Sequence, residues 1–238
     1  MRMLKKGGGL KSSTLKSLIQ SGYDRSQVEG WTKVMDTPEV SAFKHNTTPQ
    51  VVIVLRGTTG TANDWSNNAV FGVGGEVAYK QTPRYKRAVS RVAEIERKYN
   101  PKDITITGHS QGGLLTEIVP SNARERITLN KATRPTDFIF GRKKKKNQYD
   151  IRSKYDPVSI FNTRQADYTL QNKSLNPLTQ HSADILDKKP DVIYGDAKFG
   201  NGVRKKKLKV KSGGMVVRSF NERPENKFDE PDGSVQMF

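Results

Sequence analysis

Residues 104–115 read ITITGHSQGGLL, and the fold prediction starts from this stretch. Its first four residues, Ile104 to Thr107, are all β-branched and predict a buried strand. The apolar residues after Gly113 recur at helical spacing and predict a helix. The glycines between the two elements permit a sharp turn and a close approach of the helix to the strand. The stretch therefore predicts a strand, a tight turn and a helix, with Ser110 at the turn.

The pentapeptide Gly108-His109-Ser110-Gln111-Gly112 has the form G-x-S-x-G, which presents a serine hydroxyl at a strand-to-helix turn. The pattern alone is only moderate evidence, because short patterns also occur by chance. The alternative interpretation is an incidental serine in a glycine-rich turn. The predicted strand before the motif and the predicted helix after it favour a nucleophilic serine.

The rest of the chain predicts an α/β fold. Residues 39–56 predict a hairpin, whose second strand, Val51 to Leu55, is apolar throughout and therefore buried on both faces. An amphipathic helix is predicted over 84–99, and residues 57–82 predict a loop that includes a lid. Two further strands are predicted around Ile127–Leu129 and Tyr149–Ile151. The alternation of strands and helices predicts a mostly parallel central sheet flanked by helices, with basic flexible tails.

Composition divides the chain into three parts. Residues 1–22 predict an N-terminal arm with a short helix, and residues 23–197 predict the α/β domain. Residues 198–238 are first basic and then acidic, and they predict a largely disordered tail. The chain has no cysteine, which excludes disulfides and thiolate metal sites.

The sequence predicts an intracellular or virion-associated protein. Its N-terminus has no apolar core of a signal peptide, and no apolar run approaches the length that spans a bilayer. Neither a cofactor nor a metal ion is expected, because the three histidines are scattered along the chain.

The net charge of +18 is concentrated in two blocks. Residues 141–154 have a net charge of +6 and residues 198–218 a net charge of +8, and the densest Lys/Arg runs are 142–146 and 204–211. Such runs attract polyanions, which predicts contact with an anionic membrane surface or with nucleic acid. The alternative is a solvated run that contributes only solubility.

A serine nucleophile needs a histidine that accepts its proton, and an acid that orients this histidine. The order Ser, then acid, then His is typical of strand–turn–helix serine sites, and only His181 follows Ser110. His45 precedes the motif. We expect His109, inside the motif, to point away from the serine oxygen.

Asp156 is the first candidate for the acid, because it follows a predicted strand and precedes a proline. A carboxylate at the end of that strand would lie at the same sheet edge as Ser110. Asp137, Asp150 and Asp167 remain alternatives. For the oxyanion hole we expect the N–H of Gln111 as one donor and Thr58, in the loop after the Val51 to Leu55 strand, as the other.

With these residues in place, the chain resembles the class 3 (fungal-type) lipases of the α/β-hydrolase superfamily over residues 39–190. The segments that support the resemblance are VVIVLRGTTGTANDW (51–65), YKRAVSRVAEIERKYNPKDITITGHSQGG (85–113), YDIRSKYDPVS (149–159) and QHSADIL around His181. The resemblance implies a compact α/β-hydrolase-like fold. It also implies an acyl-serine mechanism with Ser110 as nucleophile, Asp156 as acid, His181 as base and Thr58 as oxyanion donor. A lid would begin near Asp64 and Trp65.

Three functions follow from these observations. The first is a serine carboxylester hydrolase that acts on lipid esters, as a triacylglycerol lipase or a phospholipase A-like enzyme. The second is a non-catalytic protein that binds polyanions, nucleic acid or an anionic membrane, on a hydrolase-like scaffold. The third is an acyltransferase that uses the same residues. A binding scaffold has no need of Ser110, Asp156 and His181 in this order, which favours an enzyme.

Overall fold

The computed structural model describes residues 10–57, 75–140, 144–162, 166–171, 174, 176–188 and 193–194. Three 3₁₀ turns, Pro101–Asp103, Ile160–Asn162 and Ala183–Lys188, connect regular elements. The helices and strands are, in chain order, β1 (Leu10–Lys11), α1 (Ser12–Asp24), β2 (Trp31–Asp36), β3 (Val40–His45), β4 (Val51–Leu55), α2 (75–79), α3 (Pro83–Lys98), β5 (Ile104–His109), α4 (Gln111–Ile118), β6 (Glu125–Leu129), α5 (Pro135–Phe140), β7 (Gln148–Ser153), β8 (Tyr168–Leu170), α6 (Pro177–His181) and β9 (Ile193–Tyr194).

The central sheet has the strand order β2-β3-β4-β5-β6-β7-β8. The first three strands pair antiparallel, and all pairs from β4 to β8 are parallel. The parallel register brings the ends of β4, β5, β6 and β7 to one edge, because Leu55 pairs with Gly108, His109 with Leu129, and Leu129 with Ile151. The predicted α/β fold with a mostly parallel sheet and flanking helices is confirmed, and the loops that follow these strands meet at one carboxyl edge.

Helices cover both faces of the sheet. On one face, the buried side of α3 packs with α4 and with the strand residues Val51, Ile53 and Ile106. On the other face, Leu15, Leu18 and Ile19 of α1 pack against strand residues and against the turn Ala183–Lys188. Helix α1 is therefore part of the packed core, and the domain boundary predicted at residue 22 falls inside it.

Local sequence signals account for the helix ends. The side chain of Thr82 accepts the N–H of Tyr85 at 3.2 Å, and Pro83 occupies the first position of α3. This helix ends at Lys98, just before Asn100-Pro101, so the helix predicted over 84–99 is confirmed. Helix α4 ends at Ile118, two residues before Pro120.

Two elements differ from the prediction. Strand β2 was not predicted, because WTKVMD mixes polar and apolar residues and its side chains are only half buried, with a register shift between Lys33 and Met35. The loop predicted over 57–82 is wrong for residues 75–79, which are helical. The arm 1–9 and the tail 198–238 lie outside the described residues. None of the described helices combines the length and the apolar character needed to cross a membrane.

Candidate active site

Ser110 lies at the turn between β5 and α4, as its motif predicts, with φ 59° and ψ −125°. A non-glycine residue with positive φ is strained, and such strain concentrates at functional sites. Backbone bonds hold the turn. The N–H of Ser110 donates to Leu129 O at 3.0 Å, and its carbonyl accepts from Gly113 and from Ala132, each at 3.0 Å. The hydroxyl is thus presented at the carboxyl edge, on backbone that is hydrogen-bonded to β6 and α4.

The glycines that flank Ser110 are required by close packing. A Cβ on Gly112 would lie 2.0 Å from the carbonyl oxygen of Leu55, and one on Gly108 would lie 2.3 Å from that of Gly112. Both distances are shorter than any real contact, so a side chain at either position would push α4 away from β4 and β5. The two glycines therefore fix where the helix begins, and with it the position of Ser110.

Asp156 and His181 form a hydrogen-bonded pair at the same edge, with Asp156 Oδ1 2.8 Å from His181 Nδ1. The carboxylate is fully buried and also accepts the N–H groups of Val158 at 3.1 Å and Ser159 at 3.0 Å, as well as the Ser159 hydroxyl. Burial alone would raise the pKa of Asp156, but these bonds, led by the one from His181, hold its pKa below the ordinary value. An ionised Asp156 keeps the His181 proton on Nδ1 and leaves Nε2 to accept another.

The alternative acids are engaged elsewhere. Asp150 bonds the buried Lys131 at 2.7 Å, Asp137 accepts the N–H of Arg134 at 2.8 Å, and Asp167 pairs with Lys144. His45 packs against Trp31 with ring centroids 4.9 Å apart, on the antiparallel side of the sheet. Of the described aspartates, Asp156 alone bonds a histidine side chain.

Two side chains, one after β6 and one at the end of β7, anchor the segment that carries His181. The Nδ2 group of Asn130 donates to the carbonyls of both Gln180 and His181 at 3.1 Å, while its Oδ1 accepts the N–H of Ser153 at 2.7 Å. Ser153 also donates its hydroxyl to Gln180 Oε1. Only 25 residues separate Asp156 from His181, and these bonds tie the short connection to the ends of β6 and β7.

His109 takes part in this arrangement, which the sequence did not predict. Its ring lies 4.6 Å from the His181 ring, centroid to centroid, and its Nε2 contacts the His181 carbonyl. Burial and the neighbouring His181 lower the pKa of His109 to about 4. The ring is therefore neutral at pH 7, and its Nε2–H donates to that carbonyl.

Only part of the expected oxyanion hole lies within the described residues. Gln111 is the first residue of α4, so its N–H belongs to the free donors at the helix start. Thr58, Asp64 and Trp65 lie outside the described residues. Gly57, just before Thr58, donates its N–H to Tyr23 Oη at 2.6 Å, and a Cβ at Gly57 would lie 3.3 Å from Ser110 Cβ. The backbone just after β4 therefore lies against Ser110.

Arg84 fixes the backbone of the two residues that follow β4. Its Nη2 donates to the carbonyls of Arg56 at 2.6 Å and Gly57 at 2.8 Å, from the first turn of α3. Among the described residues, no cluster of three or more His, Asp or Glu side chains could hold a metal ion. The groups that the described residues place at this edge are a hydroxyl, an imidazole, a carboxylate and backbone N–H groups.

A buried ionic cluster lies directly behind the turn, and sequence reasoning missed it. Lys131 Nζ bonds Glu117 and, at 2.7 Å, Asp150, and Gln148 donates to both carboxylates at 2.8 and 2.9 Å. Burial alone would lower the pKa of Lys131, but the two carboxylates raise it above its ordinary value. A Cβ on Gly113 would lie 2.8 Å from Lys131 Cβ, so the cluster supports the start of α4. Lys131 is 14 residues from Glu117 and 19 residues from Asp150 in the sequence, and no short pattern connects them.

Lys131→Met is expected to lower the free energy of unfolding by about 3–5 kcal/mol, because it leaves Glu117 and Asp150 buried without their cation. Urea unfolding of both proteins measures the difference. The matched control is Lys98→Met, which removes an exposed partner of Glu94 at 3.2 Å and should cost less than about 1 kcal/mol. Equal losses in the two variants would show that the buried cluster contributes nothing beyond a surface ion pair.

Comparison with known families gives a match that covers most of the residues that the structure describes. The model of the phospholipase-like family described as the Tle-like phospholipase domain matches residues 9–183. The chain belongs to the Tle-like phospholipase family. The matched Tle-like domain begins before α1 and ends just after His181, so it includes Ser110, Asp156 and His181. None of the curated proteins matches the chain.

Solved structures similar to this Tle-like chain include three fungal lipases. Lip2 lipase from Yarrowia lipolytica is 14% identical, with a TM-score of 0.45, over 71% of this chain and 80% of that one. A triacylglycerol lipase from Penicillium expansum is 16% identical, with a TM-score of 0.40, over 68% and 77%. The Rhizomucor miehei lipase, in its propeptide complex, is 13% identical, with a TM-score of 0.44, over 68% of each chain. The match to the family model supports a lipid ester hydrolase.

Proposed function

We propose that this protein is a serine carboxylester hydrolase that cleaves the fatty acyl esters of phospholipids. The observation on which the proposal rests is the hydrogen-bonded pair of Asp156 and His181 at the sheet edge where the strained turn presents Ser110. The match to a phospholipase-like family supports the substrate class. This family match favours phospholipid over triacylglycerol.

In this mechanism, Ser110 Oγ attacks the carbonyl carbon of the ester while His181 Nε2 accepts the serine proton. Asp156 stabilises the imidazolium that forms. The negative charge on the tetrahedral intermediate is stabilised by the N–H of Gln111 and by a donor from Thr58. His181 then protonates the leaving alcohol, which departs as a lysophospholipid. Water, activated by His181, attacks the acyl-serine and releases the fatty acid.

We further propose that the basic residues attract an anionic membrane surface, while the carboxyl edge of the sheet carries out the catalysis. Part of the run 142–146 is engaged within the fold, because Lys144 pairs with Asp167. The run 204–211 lies outside the described residues. Nucleic acid is the other polyanion that such runs attract. The assembled Asp156–His181 pair favours the enzyme over a scaffold that only binds polyanions.

The test is the product pattern from vesicles of phosphatidylcholine mixed with phosphatidylglycerol, analysed by mass spectrometry. We expect free fatty acid and lysophospholipid in equal amounts. Release of diacylglycerol or of the headgroup would contradict acyl ester cleavage, since neither arises by attack on an acyl carbonyl. Acyl transfer to an added alcohol in preference to water would assign the protein to the acyltransferases. Faster hydrolysis of triacylglycerol emulsions would overturn the assignment to phospholipid.

A further inference from the structure

Exposed apolar side chains flank the acid and the base. Among the described residues, five large hydrophobic side chains are exposed, and three of them lie on the two segments that carry Asp156 and His181. Tyr155, which precedes Asp156, is 45% exposed, Ile160 is 46% exposed, and Leu178, one turn before His181, is 81% exposed. Because Asp156 and His181 are bonded, the two segments meet at the candidate site.

The same two segments display no negative charge. Residues 154–162 and 176–182 contain one carboxyl group, that of Asp156, which is fully buried. Lys154 is exposed, and its Nζ lies 5.0 Å from the centre of the Tyr155 ring. An exposed carboxylate, that of Asp184, lies beside Ser182 and is paired with Lys16 at 2.9 Å. Two segments that combine exposed apolar side chains with an exposed cation, and that contribute no exposed carboxylate of their own, fit the headgroup region of an anionic bilayer.

We propose that Tyr155, Ile160 and Leu178 form a docking face that inserts into the headgroup region of a phospholipid bilayer. The proposal rests on the proposed function for its choice of partner. An ester of a bilayer lipid lies at the boundary between headgroups and acyl chains. Amphipathic surfaces bury their apolar side about 5–10 Å deep at this boundary. Docking through this face would bring the ester close to Ser110 without extracting the lipid.

The experiment measures flotation of the full-length Ser110→Ala protein with vesicles of phosphatidylcholine and phosphatidylglycerol, so that no lipid is consumed. Ile160→Ser and Leu178→Ser are introduced singly and together. Partial burial of one such side chain corresponds to about a tenfold change in the bound-to-free ratio, so the double variant should bind about 100-fold more weakly. Pro49→Ser is the control, because Pro49 is an exposed apolar residue in the connection between β3 and β4, at the sheet edge opposite Asp156 and His181.

The outcomes separate this proposal from the proposed function. Unchanged flotation of the double variant, or an equal loss in Pro49→Ser, would overturn the docking face even if the wild type hydrolyses phospholipid. Vesicle binding that depends on Ile160 and Leu178, combined with no hydrolysis by the wild type, would support the face and contradict only the enzymatic proposal. Binding to a DNA fragment with no binding to vesicles would overturn the docking face and favour the polyanion scaffold.

An independent observation concerns Asn130, at the end of β6. Asn130 has φ 46°, a left-handed conformation that asparagine tolerates better than most residues. Its N–H donates to Ile151 O at 2.8 Å, and its side chain binds three backbone groups around His181, as described above. We infer that Asn130 is a positioning residue for His181, with His109 as a second donor to the same carbonyl.

Asn130→Asp tests this inference, because aspartate keeps the acceptor for the Ser153 N–H but places an oxygen against the carbonyls of Gln180 and His181. We expect kcat for a soluble short-chain nitrophenyl ester to fall about 10–100-fold, with KM unchanged, because small displacements of a catalytic group cost this much. The matched control is Asn147→Asp. Asn147 Nδ2 also donates to two carbonyls, those of Ala123 and Arg124, at the opposite edge of the sheet.

A merely structural role would lower the unfolding temperature of both variants and leave kcat of the folded fraction unchanged. The inference is supported if kcat falls in Asn130→Asp and stays at the wild-type value in Asn147→Asp. Equal kcat values in Asn130→Asp and the wild type would overturn it. Equal losses of kcat in both variants would also overturn it, since Asn147 directly precedes β7, at the sheet edge opposite the site.

Discussion

Ser110→Ala is expected to lower kcat for phospholipid hydrolysis about 10⁶-fold, the size of the loss when a serine hydrolase loses its nucleophile. Alanine at the strained turn between β5 and α4 carries no oxygen that could attack the ester. The fold should persist, because the bonds that hold this turn are made by the backbone of residue 110. Fatty acid release is the measurement, together with thermal unfolding of both proteins.

The matched control for this loss is Ser17→Ala. The Ser17 hydroxyl donates to Ser13 O at 3.1 Å on the exposed side of α1 and has no part in the site. It should retain wild-type kcat. Comparable activity in Ser110→Ala and the wild type would place the nucleophile elsewhere, even if the vesicle products are those of an acyl ester hydrolase.

Asp156→Asn is expected to lower kcat about 10⁴-fold with little change in KM. An asparagine at this site has a single acceptor oxygen, which can keep the N–H of Ser159. Its amide nitrogen then takes the place of Oδ1, loses the bond from the Val158 N–H and turns an N–H toward His181 Nδ1. That contact favours the tautomer with the proton on Nε2, which cannot accept the proton of Ser110. Steady-state kinetics on a soluble short-chain ester separate this effect from membrane binding.

Asp184→Asn provides the control for the carboxylate. Asp184 lies three residues after His181 and pairs with Lys16 at 2.9 Å on an exposed surface. Its replacement should leave kcat unchanged. If Asp156→Asn retained most of the wild-type kcat, Asp156 would not orient the base, and the contact with His181 would be structural.

The sequence predicted those parts of the fold that depend on short-range patterns. The five apolar residues of β4, the amphipathic face of α3 and the β-branched run before Ser110 each determine one element by local periodicity. Asp156 and His181 were selected by chain order and by position after a strand. The structure brings the two together at 2.8 Å. The roles assigned to these residues stay predictions, as do those of Thr58, Asp64 and Trp65, which lie outside the described residues.

The features that the sequence did not predict depend on contacts between distant residues. His109 was expected only to point away from Ser110, because nothing local shows that the His181 carbonyl lies beside its ring. Asn130 bonds backbone groups of Ser153, Gln180 and His181, which lie 23, 50 and 51 residues away in the sequence. Lys131 appears as one more cation in a basic chain, although it is buried between two carboxylates. Long-range pairing of polar groups leaves no periodic signal that a single sequence reveals.

The measurement that tests the assignment of Ser110 most directly is covalent labelling with a fluorophosphonate, followed by intact-protein mass and peptide mapping. Phosphonylation requires a serine that is activated by a base, so it reports the combination of Ser110, His181 and Asp156 without any choice of lipid. We predict one adduct per chain, located on Ser110, formed much more slowly in Asp156→Asn. The absence of an adduct, or an adduct on another serine, would contradict the proposed mechanism.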